Sequence, residues 1–320
     1  MTLTEEIKRF VLEDCGMDAV GVAGIDTLND ERAGHRPEDI LPGAKSVIVF
    51  LKAIPDGIFQ AAFRAVEDDI ADARSIYAAF ARELTPNLNL FFMGFRLAQH
   101  IERVYGCTSV PIPAGEMQNV TPVNTPLPAF VGAKHIAYVL HPARAAVAAG
   151  LGEIAWNNSF VTALNGPRQG IGLVVTTMEL EPDAPYAGPR LCVPERCGVC
   201  ARVCPTHAIP APGGAEDRFE IAEKEYTTAC VNANACAVAS MAFRKEFAGK
   251  ADVPDQILCD DPDDETLKKA YAEKPGAWWS LGHHPDYYCD KCRLYCPLGN
   301  WKERFGDKGL SCFDGKAGSL

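Results

Sequence analysis

RCGVCARVCPTHAI at residues 196–209 and YCDKCRLYCPLGNW at residues 288–301 carry one and the same cysteine spacing, Cys-x2-Cys-x3-Cys-Pro. In the first the thiols are Cys197, Cys200 and Cys204 ahead of Pro205; in the second they are Cys289, Cys292 and Cys296 ahead of Pro297. A two-residue gap lets successive thiolates wrap one inorganic centre. Three residues followed by proline turn the last thiolate away, toward a neighbouring centre. Two such runs predict two 4Fe-4S clusters that exchange ligands crosswise.

Each run is the second half of the bacterial ferredoxin signature, and each is one thiolate short of the four a cubane takes. Cys192, five residues before Cys197, is the expected first ligand of the first cluster, although Pro194 stands where the usual register has its cysteine. For the second cluster, Cys230, Cys236 and Cys259 lie between the runs, and Cys230 in TTACVNANAC is favoured over Cys236. The crossed sets then read Cys192, Cys197, Cys200 and Cys296, and Cys230, Cys289, Cys292 and Cys204. Structural zinc also uses paired Cys-x2-Cys elements, but it does not require the Cys-Pro tail that occurs twice here. Thirteen cysteines would suit a disulfide framework as well. They concentrate after residue 190 at ligand spacings with no secretory segment ahead of them, which argues against that use. Cys15, Cys107 and Cys312 stand apart and read as packing residues.

A chain of 320 residues, 48% of them hydrophobic, can bury one large core or two smaller ones. The cysteine-rich stretch argues for two, a first domain over 1–185 and a second over 186–320, with Pro-rich LEPDAPYAGPRL at 180–191 as the link. A formal net charge of -11 disfavours a nucleic-acid partner, since nonspecific affinity comes from clustered Lys and Arg. No apolar run reaches the roughly 20 residues of a spanning helix, so no membrane contact is expected and the location expected is cytoplasmic.

The first 185 residues read as a mixed α/β domain. MTLTEEIKRFVLEDCG is an amphipathic helix with Ile7, Phe10 and Val11 on one face and Thr2-x-x-Glu5 as a capping box. AVGVAGI at 19–25 and SVIVFLKAI at 46–54 are continuous Val- and Ile-rich runs, the pattern of strands buried on both faces. Phe63, Val66, Ile70, Ala73, Tyr77 and Phe80 recur at helical spacing, and a second helix is expected from about Leu88 to Tyr105. TSVPIP, KHIAYVL and GIGLVVTTMEL read as further strands and PARAAVAAG as a helix. Between the cysteine runs, CDDPDDETLKKAYAEK reads as a solvated loop and helix.

The order of RPEDILPGAKSVIVF, then VLHPARAAVAAGLGEIAWNNSFVTALNGPRQGIGLVVTTMELEPD, then the two cysteine runs resembles the epoxyqueuosine reductase and reductive dehalogenase superfamily over nearly the whole chain. The AGLGEI segment ahead of the cysteines carries the resemblance beyond a generic ferredoxin domain. It implies a nitroreductase-like α/β domain that holds a corrinoid (cobalamin), followed by a ferredoxin-like domain with two 4Fe-4S clusters. The implied activity is a cobalamin-dependent reductase that removes a substituent from a small organic substrate, fed by a low-potential donor such as ferredoxin or flavodoxin.

Two departures from the family stand out. Similar epoxyqueuosine reductases carry an Asp-[Ser/Thr]-Ala-Pro-Val segment whose Asp donates a proton. The equivalent stretch here, Ile136 to Leu140, has no acid. The chain also stops soon after Cys312, without the helical-repeat tail of many tRNA-modifying relatives, and it has no twin-arginine leader of the respiratory dehalogenases. These features point to a related reductase with another substrate. Tyr138 and His141 stand near the missing acid and are the candidate proton donors, with a core aromatic and a helix N-cap as their structural alternatives. Gly150, Leu151 and Gly152 are candidates for close backbone approach to the corrinoid ring, or for a tight turn. Glu153 is a candidate second acid or an exposed helix-start carboxylate. Asn157, Asn158 and Arg168 are candidates for the corrinoid amide periphery or for loop backbone. The pair His283-His284 reads as solvent-facing. The competing classes are a non-catalytic electron-transfer or corrinoid-handling protein, favoured by the missing acid, and a flavin in place of the corrinoid.

Overall fold

The two Val- and Ile-rich runs become strands where their pattern places them. The computed structural model describes residues 1–29, 34–67, 76–77, 80–81, 89–112, 140–240, 259–273 and 289–306. In chain order the first part forms α1 (Leu3–Arg9), β1 (Ala19–Gly24), β2 (Ser46–Ala53), α2 (Asp56–Glu67), α3 (Leu90–Tyr105), β3 (Ser109–Ile112), α4 (Pro142–Ala148), β4 (Glu153–Ile154), β5 (Phe160–Val161) and β6 (Gln169–Thr176). The capping box at α1 forms: the Thr2 hydroxyl accepts the Glu5 N–H at 3.2 Å and the Glu5 carboxylate accepts the Thr2 N–H at 2.7 Å.

Four strands make one sheet in the order β1-β2-β6-β3, every pair antiparallel. Side chains alternate between its faces, so β2 sends Val47, Val49 and Leu51 one way and Ile48 and Phe50 the other. The first face packs against the alanine-rich α4, all seven of whose residues are buried. The second packs against Ile7 of α1, Val11 beyond it, and Leu90, Leu97 and Ile101 of α3. Helices on both faces explain why these antiparallel strands read as unbroken apolar runs rather than as an alternation. KHIAYVL lies outside the described residues up to Leu140.

The helical stripe over 63–80 is only partly tested. Phe63 and Tyr77 are buried, but Phe80 is 47% exposed, against expectation. The side chain of Val66, and Ile70 and Ala73, fall outside the described residues.

Cys15 is a packing residue as expected, and burial pushes its thiol from the ordinary 9.0 up to about 11, with Arg96 opposing and Asp14 adding. A thiol kept neutral by folding stabilises the native state fully below pH 9.0, and that contribution is lost as pH rises through about 11. The expected result is that Cys15→Ala loses on the order of 1–2 kcal/mol less stability than the parent between these pH values in paired urea melts.

The second part forms α5 (Pro194–Cys197), α6 (Val199–Arg202), β7 (Glu216–Ile221), β8 (Lys224–Ala229), α7 (Ala233–Ser240), α8 (Asp264–Glu273), α9 (Lys291–Leu294) and α10 (Trp301–Phe305). The β7–β8 hairpin was not anticipated. Its two turn residues, Ala222 and Glu223, have φ of 50° and 65°, the left-handed pair that a tight two-residue hairpin requires, in a sequence without the usual Asn-Gly signal.

Apolar packing crosses residue 185. Phe219, Ile221 and Tyr226 of the hairpin join the α4 side of the sheet core. Phe59 and Phe63 of α2 pack with Val199, Leu294, Tyr295, Trp301 and Phe305. The Pro-rich link has no helix or strand but is pinned: Asp183 accepts the Val22 N–H at 2.7 Å and the Lys8 ammonium at 2.5 Å.

Candidate metal centre

Helices α6 and α9, one from each cysteine run, pack against one another. That contact brings the runs together across nearly a hundred residues of intervening chain. Cys192 precedes α5 and accepts the Trp156 N–H at 3.4 Å. Cys197 ends α5, and Gly198, at φ 61°, swings the chain into α6, where Cys200 lies. Burial raises the Cys200 thiol far above the ordinary range, and its charged neighbours Cys192, Cys296 and Cys197 add to the rise. Cys296 is pushed up to about 12 by burial, against the Leu298 N–H and Arg168, with Cys192 and Cys197 adding. These four thiols are neighbours of one another.

The second group gathers round α9. Burial pushes Cys289 up to about 11, eased by the Lys291 N–H and reinforced by Cys204. Cys292 is raised by burial, then by Asp290, Cys289, Cys236 and Cys200. The group is therefore Cys204, Cys236, Cys289 and Cys292, and the Cys200–Cys292 approach joins it to the first.

Cys230 does not enter this group. It is exposed at the end of β8, and burial and the neighbouring Asp217 are what raise its thiol. Cys236 lies on α7 and packs with Cys200 and Cys292 around Ala201, Cys204 and Ala235. The missed signal was Asn232. Its side chain accepts the Ala235 N–H at 3.0 Å and its carbonyl the Cys236 N–H at 3.0 Å, a cap that starts α7 and turns Cys236 inward. Cys259 is exposed as well.

Among the described residues, no three His, Cys, Asp or Glu side chains converge as the ligands of one metal ion do. A cubane is held at four separate iron corners, so its thiolates need not converge on a point. Several half-buried thiols held close together cannot all ionise unaided. A polycationic centre is what would stabilise them as thiolates, so this donor set fits a cluster.

The residues expected around a corrinoid have other engagements. At Gly150, φ 73°, a Cβ would stand 2.1 Å from the Ala184 carbonyl oxygen, and at Gly152 one would stand 2.2 Å from that of Val161. The chain itself occupies both approaches. Leu151 packs on the sheet core. Glu153 is 5% exposed, not an exposed helix-start acid: it lies in β4, accepts the Leu191 N–H at 2.7 Å and pairs with the Lys224 ammonium at 2.5 Å. Asn157 accepts the Ser159 N–H at 3.3 Å. Asn158 donates to the Ala229 carbonyl at 2.9 Å and accepts from the Thr228 hydroxyl at 3.0 Å.

Arg168 is fully buried. It donates to the carbonyls of Cys296 at 2.9 Å, of Leu298, and of Gly299 at 3.4 Å, with its guanidinium over the rings of Trp301, Phe305 and Phe59. Burial lowers its pKa to about 10. It braces the second cysteine run rather than facing an open cleft. His141 is the buried N-cap residue of α4, and its side chain makes no capping bond there. Tyr138, the His283-His284 pair and Cys312 lie outside the described residues.

No family model matches the chain. Over 89 residues, 26% of this chain and 16% of the relative, it is 40% identical to the tetrachloroethene reductive dehalogenase of Dehalobacter restrictus. The match spans about a sixth of that curated relative's length. Among solved structures, an epoxyqueuosine reductase with an epoxyqueuosine-modified tRNA stem loop aligns over 95% of this chain and 75% of that one, at 18% identity and a TM-score of 0.45. A catabolic reductive dehalogenase in complex with 3-bromo-4-hydroxybenzoic acid aligns over 83% and 33%, at 16% identity and a TM-score of 0.44. The structural neighbours are thus epoxyqueuosine reductases and reductive dehalogenases, and the curated relative is a reductive dehalogenase. No helix among the described residues is long and apolar enough to cross a membrane.

Proposed function

We propose that the chain is an iron-sulfur reductase with two 4Fe-4S clusters in a ferredoxin-like domain, which supplies electrons for reductive removal of a substituent from an organic substrate. The observation that carries this reading is the meeting of the two cysteine runs. Cys296 from the second lies with Cys192, Cys197 and Cys200, while Cys204 from the first lies with Cys289, Cys292 and Cys236. The role of these residues is to hold the centres within electron-transfer reach of one another and away from water. A low-potential ferredoxin or flavodoxin suits the donor side.

Cobalamin is assigned on the resemblance alone. In its reduced form a corrinoid supplies a strong nucleophile and reductant. The side chains expected to hold it, Glu153, Asn157 and Arg168, are engaged within the protein, so they do not form its seat and no step is derived through it. That observation favours a second reading, an electron-transfer protein whose first domain serves another ligand or partner. Tyr138 and His141 remain the proposed proton donors on the first reading.

Anaerobic reconstitution with iron, sulfide and hydroxocobalamin, followed by desalting and metal analysis, tests both. About eight iron atoms and one cobalt per chain are expected. Eight iron without cobalt selects the second reading, and an iron-free protein overturns both. Turnover of an aryl halide against an epoxyqueuosine tRNA stem loop then separates the substrate classes.

A further inference from the structure

Cys192 is the thiol of the first group that nothing in its own segment places. It stands five residues ahead of Cys197, outside the usual register, and residues 191–193 form neither helix nor strand before α5 begins at Pro194. Arg190 and Glu195, on either side of it, pair at 3.7 Å with more than half of each side chain in water, too exposed to fix the segment.

What grips the segment comes from β4 and the turn after it, in the first domain. One oxygen of the Glu153 carboxylate accepts the Leu191 N–H at 2.7 Å, and the other accepts the Lys224 ammonium of β8 at 2.5 Å. Three residues on, the Trp156 N–H donates to the Cys192 sulfur at 3.4 Å. Trp156 is itself held: its indole N–H donates to the Pro210 carbonyl at 2.8 Å, and its own carbonyl accepts the Ala229 N–H at 2.8 Å. Two successive residues, Leu191 and Cys192, are thus bonded to one short unit that is anchored on its far side as well.

We infer that Glu153 and Trp156 are positioning residues for Cys192, so that the first domain supplies the clamp that delivers a thiolate to the first cluster. The inference rests on the two-cluster reading above. Ordering an irregular segment costs conformational entropy, and bonds from a rigid neighbour offset that cost before the thiolate meets iron. Both Glu153 oxygens are engaged and the side chain is 5% exposed, so its bonds are charge-assisted and shielded from water. Glu153 therefore acts on the metal centre through Leu191 and does not serve as an acid toward a substrate.

Iron release from the reconstituted full chain to a chelator, sampled over time by EPR of the dithionite-reduced protein, tests this. The first cluster's signal is the one that Cys192→Ala removes. Glu153→Ala is expected to make that signal decay about tenfold faster than in the parent, the scale of one lost charge-assisted hydrogen bond, with the other signal at its parental rate. Glu153→Gln is expected to recover most of the loss, because its amide oxygen still accepts the Leu191 N–H although the Lys224 ion pair is gone. A merely structural role for the buried pair gives the opposite pattern, both signals decaying together and no rescue by glutamine. That pattern, or parental decay in Glu153→Ala, overturns the inference. Should Glu153→Ala hold no iron, hydrogen exchange of the parent decides: the Leu191 amide is expected to exchange at least about a hundredfold more slowly than an unbonded one, and free exchange there overturns the clamp. A parent protein that never reaches about eight iron atoms overturns the cluster reading instead, so the two failures are distinguishable.

Discussion

Replacing Cys236 with alanine is expected to cut the iron retained after reconstitution from about eight to about four atoms per chain, because a cubane needs four protein ligands. The same change at Cys230 is expected to leave the iron content and both EPR signals as they were. The contrast follows from position. Cys236 sits on α7 as an electrostatic neighbour of the half-buried Cys292. Cys230 is exposed at the hairpin end, where its charged neighbour is Asp217. The measurement is iron and acid-labile sulfide per chain with EPR of the dithionite-reduced protein. Loss of a cluster on changing Cys230, with none on changing Cys236, would reverse the assignment.

Phe63→Ala is expected to cost about 3–5 kcal/mol, the usual range for a buried aromatic cut back to a methyl group. The ring is fully buried, with centroid distances of 5.5 Å to Tyr295, 5.2 Å to Trp301 and 5.5 Å to Phe305. Those three residues flank the last cysteine, Cys296, and the Arg168 brace, so the cavity would open where α2 of the first part holds the second. The variant should therefore lose secondary structure and cluster absorption in one shared, earlier urea transition. A loss under 1 kcal/mol, or cluster absorption that melts separately from the sheet, would show that this packing does not couple the two parts.

By itself the sequence determined the elements whose cause is local. The strands Ala19–Gly24 and Ser46–Ala53, the capped first helix and the long helix ending at Gly106 follow from periodicity, capping and a left-handed glycine, which act over a few residues. Six of the grouped thiols were legible too, because the Cys-x2-Cys-x3-Cys-Pro spacing encodes both the wrap round one centre and the reach to the next, and Cys192 was named from its place five residues ahead of Cys197.

Only the tertiary structure separates Cys236 from Cys230, which the sequence favoured: Cys236 lies half-buried on α7, and Cys230 is exposed beyond the end of β8. The tertiary structure also decided what Glu153 and Arg168 do. Lys224 and the carbonyls of Cys296, Leu298 and Gly299 are 71 or more residues away from them, and no local pattern announces a partner at that separation. Burial made the difference. A buried charge must find partners, and the fold had placed them in the protein itself, where the sequence had suggested a ligand.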